Sequence, residues 1–214
     1  ASCQVLRKWD AGTGVSSEPI PLEFAEPRAV SCMAFTRDCS QYAVGYRDGS
    51  IHLWNRQTEG QVLEGHSSVV RMLVYSPCSR WIASHDYNTV RLWDLHNMDH
   101  HRVLVVIDRD LEGRIRVVVF SAIGDQLAVG SEFRTVRLFD IPTMELLACR
   151  DLIENYLVSI AYSPKGRQIA IGAEDGCIYL WDLQSEKAGA KLSGHNGWVR
   201  CVAYALWTVD RVRL

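Results

Sequence analysis

No run of apolar residues in this chain approaches the roughly 18 that a membrane-spanning helix requires, so no membrane partner is expected. Lysine is scarce. Of the 23 basic residues only Lys8, Lys165, Lys187 and Lys191 are lysines, and the arginines are scattered in no basic run, which reads as strand-surface chemistry. The formal net charge of -2 likewise gives no reason to expect nucleic acid. There is no C-x-x-C pair among the seven cysteines at 3, 32, 39, 78, 149, 177 and 201, an odd number that predicts buried free thiols and a reducing compartment. The opening "ASCQVLRKWD" has no apolar block of the signal-peptide kind, so the cytoplasm is expected, with the nucleus as the alternative.

The common catalytic signatures are also missing. Neither G-x-S-x-G nor G-x-x-x-x-G-K-[ST] occurs, which removes the commonest hydrolase and nucleotide-binding motifs. "AGTGVSSEPIPLEF" holds a G-x-G without its third glycine or a following helix, and reads as a linker between strands. "HNMDHH" (His96 to His101) has metal-ligand residue types, yet nothing else offers supporting partners, so it reads as a solvated polar loop. No catalytic residue, cofactor, metal or small-molecule substrate is expected.

What the chain does have is a repeat. "VLRKWD", "GSIHLWN", "NTVRLWD", "RTVRLFD" and "GCIYLWD" place Trp9, Trp54, Trp93, Phe139 and Trp181 at steps of 45, 39, 46 and 42. A parallel series places Phe35, Tyr75, Phe120, Tyr162 and Tyr204 at steps of 40, 45, 42 and 42. Within a unit the two series lie 18 or 19 residues apart, so one architecture recurs. Between them come a turn signal ("SPCSR", "SPKGR"), a short apolar stretch ("QYAVG", "QLAVG", "QIAIG") and a second turn ("RDG", "EDG"). "QVLEG", "RVLVVI", "ELLAC" and "AKLSG" supply a fourth strand. A four-stranded antiparallel unit cannot bury its own faces, so the units must stack, and the fold class expected is all-β.

These residues resemble the WD-repeat family. The matching text is Gly65-His66 and Gly194-His195, the dipeptides Trp9-Asp10, Trp93-Asp94 and Trp181-Asp182 with variants Trp54-Asn55 and Phe139-Asp140, and "DG" at Asp48 and Asp175. The resemblance implies a β-propeller of four-stranded blades. It divides a single domain, 1–214, into repeats at about 27–63, 64–106, 107–150 and 151–192, with partial repeats 1–26 and 193–214. Joining the partial repeats into one composite blade gives about five blades; the alternative is a fragment of a seven-bladed ring.

In the family a buried hydrogen-bond network joins the His of "GH", an Asp in the turn before the third strand, a Ser or Thr and the strand Trp. Counting nine back from the first-strand aromatics keeps His66 and His195 only. Counting six back from the third-strand aromatics keeps Asp48 and Asp175 only, in other units; Asp86 lies one place early in the unit of His66, an offset that leaves a contact with His66 open. No unit is expected to hold the complete network in register, and these residues are assigned to structure.

The resemblance implies that the loops before the first strand and between the second and third form one rim around a channel. It places Arg28, Tyr46, Arg47, Tyr87, Phe133, Arg134, Tyr156 and Trp198 there, aromatic and arginine anchors of the kind that dominate interfaces. The function implied is a non-catalytic scaffold for protein or peptide partners. The alternatives are a sensor region of a larger signalling protein and, from another class, a propeller enzyme with a channel site.

Overall fold

The structure is a computed structural model that describes residues 5–6, 9, 12–16, 20–21, 29–55, 59–97, 101–106, 113–151, 155–185 and 189–205. Its described residues are all-β, and sixteen of their strands form four antiparallel sheets in which sequence neighbours are spatial neighbours. A hairpin of β1 (Val5–Leu6) and β2 (Ile20–Pro21) precedes them. The first blade is β3 (Val30–Phe35), β4 (Gln41–Tyr46), β5 (Ile51–Asn55) and β6 (Glu59–Leu63). The second is β7 (Met72–Tyr75), β8 (Trp81–His85), β9 (Thr89–Asp94) and β10 (His101–Val106). The third is β11 (Ile115–Phe120), β12 (Gln126–Ser131), β13 (Thr135–Asp140) and β14 (Leu146–Asp151). The fourth is β15 (Leu157–Tyr162), β16 (Gln168–Ala173), β17 (Ile178–Asp182) and β18 (Lys191–Leu192).

Each first hairpin is closed by the same device. A hydroxyl residue follows the first strand, and its oxygen accepts the N–H five residues on: Thr36 from Gln41 at 3.1 Å, Ser76 from Trp81 at 3.0 Å, Ser121 from Gln126 at 3.2 Å and Ser163 from Gln168 at 3.0 Å. The fourth turn residue is left-handed in every case, Cys39, Ser79, Gly124 and Gly166, so two blades use a glycine there and two hold a side chain in a costly backbone region.

Strand alternation gives every blade two apolar faces, and these meet between blades. One core cluster joins Ala43 and Ile51 of the first blade to Val70, Leu73, Ile82 and Trp93 of the second. Another joins Ala83, Val90 and Leu92 to Ile115, Leu127 and Phe139, and a third joins Val117, Ala128 and Leu138 to Leu157, Ile169 and Trp181. The first strands β3, β7, β11 and β15 lie against one another in succession, as the innermost strands of a propeller do. One backbone hydrogen bond recurs at each seam: the N–H groups of Val70, Ile115, Leu157 and Val199 donate to the carbonyls of Tyr46, Tyr87, Glu132 and Ala173 at 3.0 to 3.3 Å. Val199 thus stands to the fourth blade as Val70 stands to the first, although residues 199–205 lie in no sheet. Tyr204 hydroxyl, 2.7 Å from Gln168 Oε1, holds the other end of that segment against the fourth blade.

Candidate functional site

The turn joining second and third strands positions the rim, and its length differs between blades. In the first blade Gly45 pairs with Ile51, leaving five residues between them; in the second His85 pairs with Val90, leaving four. Asp48 is therefore third in its turn and caps it, accepting from Ser50 N–H at 2.9 Å and Ser50 hydroxyl at 2.7 Å. Asp86 is first in its turn, and its Oδ1 accepts from the N–H groups of Asn88 and Thr89 at 2.9 and 2.7 Å. The aspartate carboxylate then reaches inward, with Oδ2 3.3 Å from His66 Nδ1.

This shift completes the network that counting from Trp93 leaves open. Trp93 Nε1–H donates to Ser84 Oγ at 2.8 Å, and Ser84 Oγ lies 2.6 Å from His66 Nε2. The indole can only donate, so the serine hydroxyl gives its proton to Nε2, and the imidazole carries its own proton on Nδ1 toward Asp86 and Thr89 Oγ1, the latter at 3.1 Å. The network here is out of the counted register, and Asp86, one place early, reaches His66 because the turn is one residue shorter. Burial alone would push the Asp86 carboxyl up, but the hydrogen bonds from His66 and from two backbone N–H groups hold it well below the ordinary range.

The other assigned structural residues divide. Trp54, Trp93, Phe139 and Trp181 are buried, and Trp54 stacks on Tyr42 with centroids 6.1 Å apart. Asp175 accepts from Cys177 N–H and from Tyr179 hydroxyl and lies 3.4 Å from Lys191 Nζ. Trp9 is exposed and pairs with Ser16 through an isolated bridge; among the described residues its hairpin is two strands wide, which gives the ring no broad sheet face. His195 is exposed as well: the strands that would carry its serine and tryptophan are not among the described residues. Its backbone still matters. A Cβ on Gly176 would lie 2.3 Å from the His195 carbonyl oxygen, and one on Gly49 would lie 2.4 Å from that of His66, so each "DG" turn is pressed against the next "GH" loop. Both glycines are left-handed, and both features demand glycine.

Among the predicted rim residues, Arg28 lies outside the described residues. Tyr46 is wholly buried and packs edge-on against His52, so it is a packing residue and not an exposed anchor; it ends β4, where alternation turns its ring inward. Arg47 and Arg134 are exposed, Arg134 with a left-handed backbone. Phe133 and Tyr156 are 37% and 45% exposed with ring centroids 5.7 Å apart, bridging the seam between the third and fourth blades. Trp198 is 53% exposed and occupies the position equivalent to Tyr156 one blade on, each preceding the residue that makes the seam hydrogen bond. The Arg200 guanidinium lies 5.5 Å from its ring.

Tyr87 is the best-organised of the set. The guanidinium groups of Arg71 and Arg114 lie 4.9 and 4.8 Å from its ring centroid, and Arg71 donates to its hydroxyl at 3.0 Å. Arg116 pairs with Glu132 at 2.8 Å beside them. Phe133 continues this group toward Tyr156, since a Cβ on Gly113, next to Arg114, would lie 3.0 Å from its ring. Reading the arginines as scattered surface residues misses Arg71, Arg114, Arg116 and Arg200. The repeat phase carries the missing signal: Arg71, Arg116 and Arg200 each directly follow a seam residue, Val70, Ile115 or Val199. No cluster of three or more potential metal-ligating side chains occurs among the described residues, and part of "HNMDHH" lies outside them.

Comparison with known proteins agrees with this architecture. The family "WD domain, G-beta repeat" matches residues 23–55, 57–94 and 153–182, which take in the first three strands of the first, second and fourth blades, with β6 inside the second match. The chain is 24% identical over 189 residues to apoptotic protease-activating factor 1 of Danio rerio, covering 76% of this chain and 15% of that protein. It is 25% identical over 206 residues to serine-threonine kinase receptor-associated protein of Gallus gallus, covering 92% of this chain and 54% of that one. To the nuclear distribution protein nudF of Aspergillus niger it is 24% identical over 189 residues, covering 83% and 41%. The chain thus spans well under two thirds of each relative. Repeats of this kind indicate a protein-interaction or regulatory scaffold in general and bind proteins or peptides.

Proposed function

We propose that this chain, which carries WD-domain, G-beta repeats, is a non-catalytic platform that takes a protein or peptide partner on its loop rim. The observation that carries the reading is the line of aromatics on successive blade seams, the partly buried Tyr87 and the exposed Phe133, Tyr156 and Trp198, with arginines beside Tyr87 and Trp198. Aromatic and arginine side chains on a rigid scaffold are the usual anchors of interface energy. The proposal includes no nucleic-acid, membrane or small-molecule partner, and it places the chain in the cytoplasm. The described cysteines depart from the expected burial, since Cys39, Cys78, Cys149 and Cys201 are exposed, Cys32 is partly buried and Cys177 alone of the six is buried, but all six are unpaired, which supports a reducing compartment.

Selection of a phage-displayed peptide library on the chain tests the reading. Peptides should be enriched on the native chain, and the triple variant Phe133→Ala, Tyr156→Ala, Trp198→Ala should lose them with its circular-dichroism melt unchanged. Retention of the same peptides by the variant refutes the rim assignment. A second reading, a regulatory region within a larger signalling protein, is favoured by the match to only 15% of the Danio rerio relative. Closure of the ring through the N-terminal hairpin and residues 199–205 is also a proposal, supported by the placement of Val199 at a blade seam. It predicts a monomer with one cooperative unfolding transition, and a broad transition would count against it.

A further inference from the structure

The seam between the second and third blades differs from its neighbours by one residue. In the first, third and fourth blades the second strand carries a glycine, Gly45, Gly130 or Gly172, at the point where the next blade arrives. A Cβ there would lie 2.6 to 3.0 Å from atoms of the incoming strand or its neighbours, Val70, Leu157 or Val199 among them. The pairing register puts His85 at the same position in the second blade, since His85 faces Val90 as Gly45 faces Ile51. An imidazole stands where three other seams tolerate only hydrogen.

Beside it is a cleft of about 220 Å³ lined by Arg71, Met72, His85, Tyr87, Arg114, Ile115, Arg116 and Glu132. His85 forms its buried wall. The ring gives its Nδ1 proton to the Asp86 carbonyl at 2.7 Å, which leaves Nε2 the acceptor of a neutral imidazole, and that nitrogen is buried with no hydrogen-bond partner. Arg116 is paired with Glu132, whereas among the described residues no carboxylate pairs with Arg71 or Arg114. Those two guanidinium groups are held instead against the Tyr87 ring. The cleft is smaller than the roughly 300–1,000 Å³ of small-molecule pockets and suits a single inserted side chain.

We infer that this cleft receives a carboxylate side chain of an acidic peptide segment, with Arg71 and Arg114 as its charge partners and His85 as the wall that takes up a proton when the carboxylate arrives. The inference rests on the rim reading and names the chemistry of the partner. Planar guanidinium groups pre-oriented on an aromatic face present two donors each to a carboxylate, and less freedom is lost on binding than with free lysines. Burial holds His85 neutral, with its pKa down to about 4. The titratable and charged groups around it are Arg71 from the second blade, Asp86 and His66 from the network behind it, and Arg114, Arg116 and Glu132 from the third blade. A carboxylate added to this set favours the imidazolium, and by linkage a protonated His85 favours the carboxylate.

The test uses the whole chain with fluorescein-labelled hexaglutamate, hexaglutamine and hexaphosphoserine peptides, read by fluorescence anisotropy. Hexaglutamate should bind and hexaglutamine should not. Arg71→Gln with Arg114→Gln should weaken hexaglutamate about tenfold or more, while the charge-matched pair Arg150→Gln with Arg167→Gln, away from the cleft, changes it less than about twofold. Lowering the pH from 7.5 to 5.5, where glutamate remains ionised, should tighten binding to the native chain and leave His85→Gln unchanged. Equal losses in the two arginine pairs, absence of hexaglutamate binding, or a tenfold preference for hexaphosphoserine would each overturn the inference, as would a pH response that survives in His85→Gln. The two readings fail separately: library peptides lost in the aromatic triple variant but indifferent to Arg71 and Arg114 would leave the rim standing and remove the acidic cleft.

Discussion

Ser84→Ala is expected to destabilise the chain by about 3 kcal/mol, a large cost for losing one oxygen. Ser84 Oγ both accepts the Trp93 indole proton at 2.8 Å and lies 2.6 Å from His66 Nε2. Two net hydrogen bonds at about 1 kcal/mol each are lost, and desolvation of the buried indole N–H that Ser84 no longer offsets adds about 1 kcal/mol. The neighbouring blade supplies a natural control. Register places Val129 and Phe139 of the third blade where the second has Ser84 and Trp93, so that blade fills the same volume with no polar atom to satisfy. Copying it, Ser84→Val combined with Trp93→Phe should cost about 1–2 kcal/mol less than the sum of the two single changes, because the second removes the donor that the first orphans. Urea unfolding of the four proteins, with unchanged m-values, measures the cycle. Additivity to within about 0.3 kcal/mol would refute the view that Ser84 and Trp93 act as one unit.

Four further outcomes follow from the geometry. Gly49→Ala should cost roughly 3 kcal/mol in thermal or urea unfolding, combining a left-handed backbone with a carbonyl oxygen 2.4 Å from the new methyl; Gly166→Ala, left-handed but with open space, should cost only about 1 kcal/mol. Ser79→Gly should stabilise by about 0.5 kcal/mol, since Ser79 holds the left-handed position that Gly124 and Gly166 occupy elsewhere, and a loss would show that the hydroxyl matters more than the backbone. The folded His85 resists protonation down to about pH 4 against an ordinary value of 6.5, so the unfolded chain takes the proton first; stability should fall as pH drops across that window, by at most about 3 kcal/mol, and His85→Gln should flatten the profile. Asp86 has the opposite kind of group but the same sign at lower pH: its carboxyl is held below the ordinary range when folded, so its contribution is present above the unfolded value near 4 and is lost on further acidification, a loss that Asp86→Asn should abolish.

The strands and their grouping in fours were legible because hydrophobic alternation and turn residues repeat in every unit, even where single residues drift. "TVRLFD" forms β13 as readily as "TVRLWD" forms β9. What position counting could not reach depends on a single residue of turn length. Counting back from Trp93 assumes the five-residue turn of the first blade and so lands on Tyr87, with Asp86 one place early; the register shows that Asp86 is the residue that meets His66. Tyr46 failed as a rim residue for a related reason: it belongs to the last step of β4, where side-chain direction is set by the strand and not by the turn. The arginines around Tyr87 were hidden because they come from β7, β11 and their approaches, about 45 residues apart in sequence (116−71), and meet only across a seam.

The third blade shows what the cohesion of this fold does and does not require. The family match leaves it uncovered, Phe133 and Phe139 stand where other units carry polar or indole chemistry, and yet all four of its strands are six residues long. Its stability comes from the two apolar clusters that tie it to the blades on either side, each burying leucine, isoleucine and aromatic side chains drawn from both partners. When seams supply the cohesion, a network inside a blade is dispensable, and the turn residue it would have occupied is released to face solvent. Phe133 in the third blade is such a residue, and Tyr87 is freed in the second because Asp86 takes the network position one step earlier. On the proposed reading, binding surface and departure from the repeat are therefore one phenomenon: the anchors lie where the network is absent or displaced, and the seam that departs furthest, with His85 in place of glycine, carries the arginine-lined cleft.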